Sequence, residues 1–274
     1  IVSYCCEGNK AAFSITFFVC NMLNDLQLLQ TDKRNPFKLH SNIDKDMLNP
    51  SNKVFFVPGD LWVGKKLEIF FAKRDPSTTP LFLPKDTANS NPLSLSELPR
   101  LLRILSLKAD SPQAAAMRET LHMCGMNPVH GETKHCAVSL ESMIDFAMSV
   151  LGNKTRLSTL TNVILVKPIK QLQNYTILKE PTKLLSRRIV GCHSMPYPYA
   201  IYYCHGQRDN VVSVFQILVG GDDGGRILAP AICHMNTSDW NVNHVSFKML
   251  HMAPRSGSVC HFLQPDNIVW LAAE

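Results

Sequence analysis

The chain has 274 residues, 45% of them hydrophobic, and carries a formal charge of +6 with a pI near 8.8. That length buries a sizeable core, as one large domain or two small ones. The dispersed basic residues, with no aromatic-basic interleaving, speak against nucleic-acid binding, and no apolar run reaches the ~18 residues of a membrane span.

Residues 1 to 53 read as a leader. An apolar stretch at 11 to 20, after Lys10, has the length of a signal-peptide core. The polar stretch 30 to 53, with Pro36 and Pro50, reads as linker. Domain structure is expected over 54 to 274. Residues 54 to 72 alternate as a strand or hairpin would, and 73 to 92 form a proline-broken loop (Pro76, Pro80, Pro84, Pro92) with an extended piece at 81 to 83.

Three helices follow. Leu98, Leu101, Leu102 and Leu105 recur on one face, with Ser96 as the expected cap and Pro99 in the first turn. The second runs from Ser111, as cap, through Pro112 to Gly125, with Met117, Leu121 and Cys124 on one side. The third runs from Ser139 to Gly152 with the stripe Met143, Phe146, Ala147 and Val150. After Asn153, short β-branched and aromatic runs alternate with turn residues. They predict strands at 163–166, 175–178, 189–193, 200–205, 211–219, 227–234, 245–251, 259–263 and 268–271. The plan is α+β: N-terminal helices packed on a mainly antiparallel β half. The glycine-rich stretch 220 to 225 lies between strands and reads as a turn, with calcium binding by Asp222 and Asp223 as the rarer alternative.

Four Cys-His dipeptides fall on these strands: Cys192-His193, Cys204-His205, Cys233-His234 and Cys260-His261, in the pattern CH-x10-CH-x27-CH-x25-CH. Successive side chains of a strand point to opposite faces. The simplest arrangement therefore sets the cysteines on one face, able to pair as disulfides, and the histidines on the other, able to converge on a metal. Imidazoles without thiolate or carboxylate fit a redox copper centre or a catalytic zinc, and spacing does not rank the two. The same spacing fits buried, hydrogen-bonded histidines beside disulfides. The turn residues between Cys124 and Cys136 predict that those two pair with each other; Cys5, Cys6 and Cys20 lie in the leader. Sequons at Asn153, Asn174 and Asn236 agree with a secretory, glycosylated chain. Nucleotide-binding, serine-hydrolase and metalloprotease motifs are absent, and no carboxylate pair for glycoside hydrolysis can be located.

The four dipeptides at this spacing resemble the plant BURP domain. So do Phe55-Phe56, Asp60-Leu61 and Gly64, then Leu81 to Pro84, and the central Gly131-Glu132-Thr133-Lys134-His135-Cys136 followed by 139 to 146. Met195 to Tyr199, then Thr237, Ser238, Trp240 and His244, and finally Phe262 and Trp270, complete the likeness. The central stretch is most similar to the branch resembling the polygalacturonase beta subunit. That branch implies a secreted, non-hydrolytic accessory of the plant cell wall (the apoplast), with wall polysaccharide such as pectin, or a wall enzyme such as polygalacturonase, as partner. A basic chain suits an anionic matrix. The family also includes copper-dependent, dioxygen-using peptide cyclases that join a Tyr or Trp side chain to another residue of a core peptide. The resemblance thus implies copper held by His193, His205, His234 and His261. His244 would be a further ligand, a partner to one, or a catalytic acid/base group. No Tyr- or Trp-bearing repeat stands in residues 1 to 53, so a cyclase would act on a separate peptide or on a segment outside this sequence. The wall-accessory reading needs no such substrate and is the more economical at this level, which leaves open whether the chain is an enzyme. Tyr197, Tyr199, Tyr202 and Tyr203 cluster between two dipeptides, as packing residues or as radical carriers near a copper.

Overall fold

The computed structural model describes residues 52–73, 79–90, 93–128, 131–152, 156–184, 188–207 and 212–272. The leader to residue 51 and the sequon at Asn153 lie outside them.

In chain order the strands are β1 (Phe55–Phe56), β2 (Lys66–Phe70), β3 (Glu132–Ala137), β4 (Leu157–Leu160), β5 (Val163–Val166), β6 (Leu172–Ile177), β7 (Thr182–Leu184), β8 (Ile189–Met195), β9 (Ile201–Gln207), β10 (Val212–Gly221), β11 (Arg226–His234), β12 (Val259–Phe262) and β13 (Ile268–Ala272). The helices are α1 (Lys85–Asn89), α2 (Leu98–Ile104), α3 (Pro112–Gly125), α4 (Leu140–Leu151) and α5 (Val245–Met249). Among the described residues the strands form two antiparallel sheets. The first has the order β1-β12-β11-β10-β6-β2, with β5 added on β11 and β7 on β10. The second has the order β3-β9-β8-β13-β4. The α+β class is as expected; the expected division into helices first and strands after is not. β1 and β2 fall where a strand or hairpin was expected, but they pair with β12 and β6 at opposite ends of the first sheet and not with each other. β3 stands between α3 and α4 and pairs with β9.

The helix signals translate into hydrogen bonds. The Oγ of Ser111 accepts from Ala114 N at 3.1 Å and starts α3, whose first residue is the tolerated Pro112. Ser139 and Ser142 cap α4 reciprocally, each Oγ accepting from the other's backbone N–H. Ahead of α2, Ser94 and not Ser96 is the cap, because a 3-10 turn at Leu95–Glu97 begins the helix one turn early. Residues 245 to 251 are not a strand. Val245 and Phe247 suggested one, but His244 accepts from Ser246 N at 3.3 Å, and burying Ser246 and Phe247 on one side selects the helical turns of α5. The polar strand β3 and the short β4 and β7 were not expected, since none carries a β-branched or aromatic run.

Four apolar clusters hold these layers. One lies within the first sheet around Phe56, Ile69, Tyr175 and Phe262. A second joins α2 and α3 to Tyr197, Tyr199 and Ile201. A third sets α4 against Val190, Cys192, Cys204 and Trp270; α4 crosses β3, β8, β9 and β13. The fourth, Ile189, Val214, Ile232, Leu263, Val269 and Leu271, takes residues from both sheets and so brings their faces together. It positions the site described next.

Candidate metal centre

Each Cys-His dipeptide sits on a strand. In the second sheet, Cys192 of β8 lies opposite Cys204 of β9, and the two are bridged. In the first sheet, Cys233 of β11 lies opposite Cys260 of β12, and these are bridged as well. Cys124 is bridged to Cys136, tying α3 to β3. All six expected cysteines are therefore disulfides. The alternation of a strand does the rest: each sulfur turns into its own sheet's apolar cluster, and the following imidazole turns to the other face.

Those other faces meet. Ring centroids lie 5.3 Å apart for His193–His205 within one sheet and 5.5 Å for His234–His261 within the other. Across the sheets, His193–His261 are 6.0 Å apart and His205–His234 6.4 Å, the latter almost parallel. The four rings form a closed square, two from each sheet. The sequence suggested one two-sided β layer; the structure has two such layers, face to face.

Hydrogen bonds fix the rings. His205 Nδ1 donates to Glu132 Oε1 at 2.8 Å, which leaves its Nε2 as a lone pair. His193 Nδ1 faces Asn267 Nδ2 at 3.1 Å, while Asn267 Oδ1 accepts from Ser194 N at 3.1 Å. The amide orientation is thus set by the Ser194 N–H, His193 Nδ1 accepts, and its proton belongs on Nε2. That Nε2–H points at His205 Nε2, 3.2 Å away. His261 Nδ1 lies 3.4 Å from the Phe262 carbonyl. His234 Nδ1 is buried and meets no protein partner. Burial first, then the neighbouring rings, holds His193 and His234 well below the ordinary histidine range, and pushes His261 down to about 4. Neutral imidazoles are the form that binds metals.

His244 stands beside the square and not in it. It caps α5, its Nδ1 accepts from Ser246 Oγ at 2.7 Å, and its ring packs on Trp240 at 4.5 Å. Trp240 also covers His234 at 5.0 Å, and Phe55 lies 6.2 Å from His261. Of the four tyrosines, Tyr197 and Tyr199 are buried in the helical cluster, where desolvation raises both and holds Tyr199 at about 12. Tyr202 packs on Phe82. Only Tyr203 approaches the square, its ring 5.6 Å from His205 and under the Lys134 ammonium. Asn174 and Asn236 are exposed.

Among the described residues, no three His, Cys, Asp or Glu side chains are gathered as a formed metal site. The square is thus an assembly of imidazoles and not a preset coordination sphere. Its residues still fit a metal by three tests. The donor set is neutral imidazole, with thiolates removed by disulfides. The 3.2 Å between two Nε2 atoms is close to the ~3.3 Å that separates two nitrogens on one tetrahedral ion, a fit that requires His193 to give up its Nε2 proton on binding. Gly191 leaves the space beneath them open: a Cβ there would stand 3.6 Å from His205 Nε2 and 3.7 Å from His193 Nε2. Glu132, Asn267, Gly191, Trp240 and Phe55 were not singled out from sequence as site residues. Gly191 had a local signal, a glycine directly before a Cys-His pair inside a strand. The others are brought in only by strand pairing and loop packing.

Comparison with known proteins agrees with the motif reading. The BURP domain profile matches residues 54–272. The chain is 39% identical over 277 residues to BURP domain-containing protein BNM2A of Brassica napus, covering 95% of this chain and 98% of that one. It is 42% identical over 233 residues to BURP domain protein USPL1 of Arabidopsis thaliana, covering 83% of each. It is 36% identical over 242 residues to BURP domain protein RD22 of the same plant, covering 87% of this chain and 61% of that one. These matches fix the family and not the polygalacturonase beta subunit-like branch.

Proposed function

The chain belongs to the BURP domain family, and on that premise we propose that it is a secreted plant protein whose His193, His205, His234 and His261 hold copper for oxidative cross-linking of a peptide. The observation that carries this is the four-ring square, made of neutral imidazoles from two sheets with their cysteines bound away behind them. Bound copper would supply one-electron oxidation with dioxygen as the final electron acceptor. The chain's own residues do the rest. The disulfides keep thiolates out of the site, so sulfur neither ligates nor is oxidised. Trp240 and Phe55 pack edge-on against His234 and His261. His244, at the rim, is the group for proton transfer, with its Nδ1 engaged by Ser246 and its Nε2–H turned outward from that bond. A Tyr or Trp side chain of the peptide loses one hydrogen and its joining partner another, and dioxygen takes up both.

Three disulfides support an oxidising, extracellular compartment. A net charge of +6 supports a second reading, retention on an anionic wall polysaccharide or a wall enzyme as a non-hydrolytic accessory. The test takes the purified full chain, measures its copper content, and incubates it with copper, dioxygen and a Tyr- or Trp-containing peptide. A product lighter by two hydrogens is expected. Copper retained with no mass change favours the accessory reading; a chain that retains no copper removes the metal from both.

A further inference from the structure

The second sheet offers a residue that stands outside the square and is bonded to one of its rings. Glu132 begins β3, the edge strand next to β9. Lys134 is the residue directly opposite His205 in the β3–β9 register, which places Glu132 on the same face, one diagonal step along. Glu132 is largely buried, its side chain 9% exposed, and His205 is 17% exposed. Their 2.8 Å contact is therefore sheltered from water. Lys134 is turned elsewhere: its ammonium donates to the Met123 carbonyl at 2.7 Å and to that of Cys124 at 3.4 Å.

We infer that Glu132 is a positioning residue, whose carboxylate holds the His205 proton on Nδ1 and thereby presents the Nε2 lone pair to the middle of the square. An imidazole has one lone pair when neutral, and its place is decided by what the other nitrogen donates to. A carboxylate accepts and never donates, so it leaves no choice. Without it, a free imidazole prefers the proton on Nε2, where it would block the nitrogen that faces His193. Asn267 shows the contrast. Its NH2 faces His193 Nδ1 and puts that ring in the opposite tautomer. The two rings are complementary because Glu132 and Asn267 hold them oppositely.

As a role toward a metal this rests on the copper reading; as a role in fixing the ring it does not. The test separates the two. Nitrogen-15 NMR of the chelator-treated full chain at one neutral pH reports which His205 nitrogen is protonated, and titration with copper(II) alone reports affinity. Wild-type protein should carry the proton on Nδ1. Glu132→Met, of similar length without an acceptor, should move the proton to Nε2 and weaken copper(II) binding roughly 10- to 100-fold. A wild-type His205 protonated on Nε2 overturns the inference with no variant needed, so a misfolded Glu132→Met does not shelter it. A folded Glu132→Met with unchanged tautomer overturns it as well. If wild-type protein binds no copper(II) but the tautomer moves as stated, the positioning role stands and the copper reading falls.

Discussion

The Nε2 atoms of His193 and His205 face each other at 3.2 Å above Gly191, which gives neither a side chain to rest on. The glycine is not required by its backbone, since it lies in a regular strand with no positive φ. A Cβ would sit in ordinary van der Waals contact with both nitrogens and with Ile232, without a clash. Gly191→Ala should therefore leave the melting temperature unchanged or raise it slightly, because alanine restricts the unfolded chain. It should still reduce copper retention, because the methyl fills the floor of the square. Calorimetry and metal analysis on the same sample read both; a variant that loses stability and keeps its metal would contradict this account of the glycine.

The bridges behind the rings are expected to stabilise without acting as ligands. Cys192 and Cys204 are 12 residues apart, so removing their bond should release about 3 kcal/mol of loop-closure constraint. Replacing both with alanine should lower the denaturation midpoint by that order, while copper stoichiometry measured well below the midpoint stays near that of the parent. Loss of metal from a variant shown to be folded would mean that the strap also sets the ring geometry.

Acid should destabilise the chelator-treated protein by way of its histidines. His193, His234, His244 and His261 are all lowered by burial, His261 to about 4. Between the ordinary histidine value of ~6.5 and the folded values, the unfolded chain binds more protons, so stability rises with pH there. The contribution is fully present above ~6.5 and is lost as pH falls toward 4. Melting temperatures taken at pH 7, 6, 5 and 4.5 should fall in that order, more steeply than in a variant with His234 and His261 replaced by glutamine.

The turn at residues 220 to 225 should be indifferent to calcium. Asp223 already accepts from Ile169 N at 2.7 Å, Lys170 N at 2.8 Å and Gly225 N at 2.9 Å. Desolvation pushes its carboxyl up, but these backbone donors and Gln173 together outweigh it and hold the carboxyl down to about 2. Asp222 Oδ2 accepts from Asn174 Nδ2. Asp223→Asn should speed hydrogen exchange at the amides of residues 169 and 170, with little effect on the square. Millimolar calcium should change neither exchange nor melting; a calcium-dependent rise in melting temperature would restore the rarer reading of this turn.

Much of this was legible because it depended on local periodicity. Strand alternation separates Cys192 from His193 and Cys260 from His261 whatever the surrounding fold. Ser111 and Ser139 announce their helices by a side-chain oxygen placed before an apolar stripe. What escaped was set by partners distant in sequence. Glu132 lies 73 residues from His205, and only the β3–β9 register joins them. Residues 245 to 251 carry strand-like residues, and burial of Ser246 and Phe247 with capping by His244 outweighs that preference. The meeting of two sheets at the histidines was also invisible, since alternation fixes which face a ring takes but not which face it meets.

The three straps all join elements on one side of the molecule or the other: β8 to β9, β11 to β12, and α3 to β3. Among the described residues, no disulfide spans the seam where the layers touch. Besides the chain's own connections, such as those from β4 to β5 and from β12 to β13, the Ile189–Leu271 apolar cluster and the imidazoles cross it. An ion gripped by all four rings would therefore act as a rivet through that seam. The two plates would then gain rigidity on loading and slide more freely on extraction, making metal content a mechanical variable of the protein as well as a chemical one.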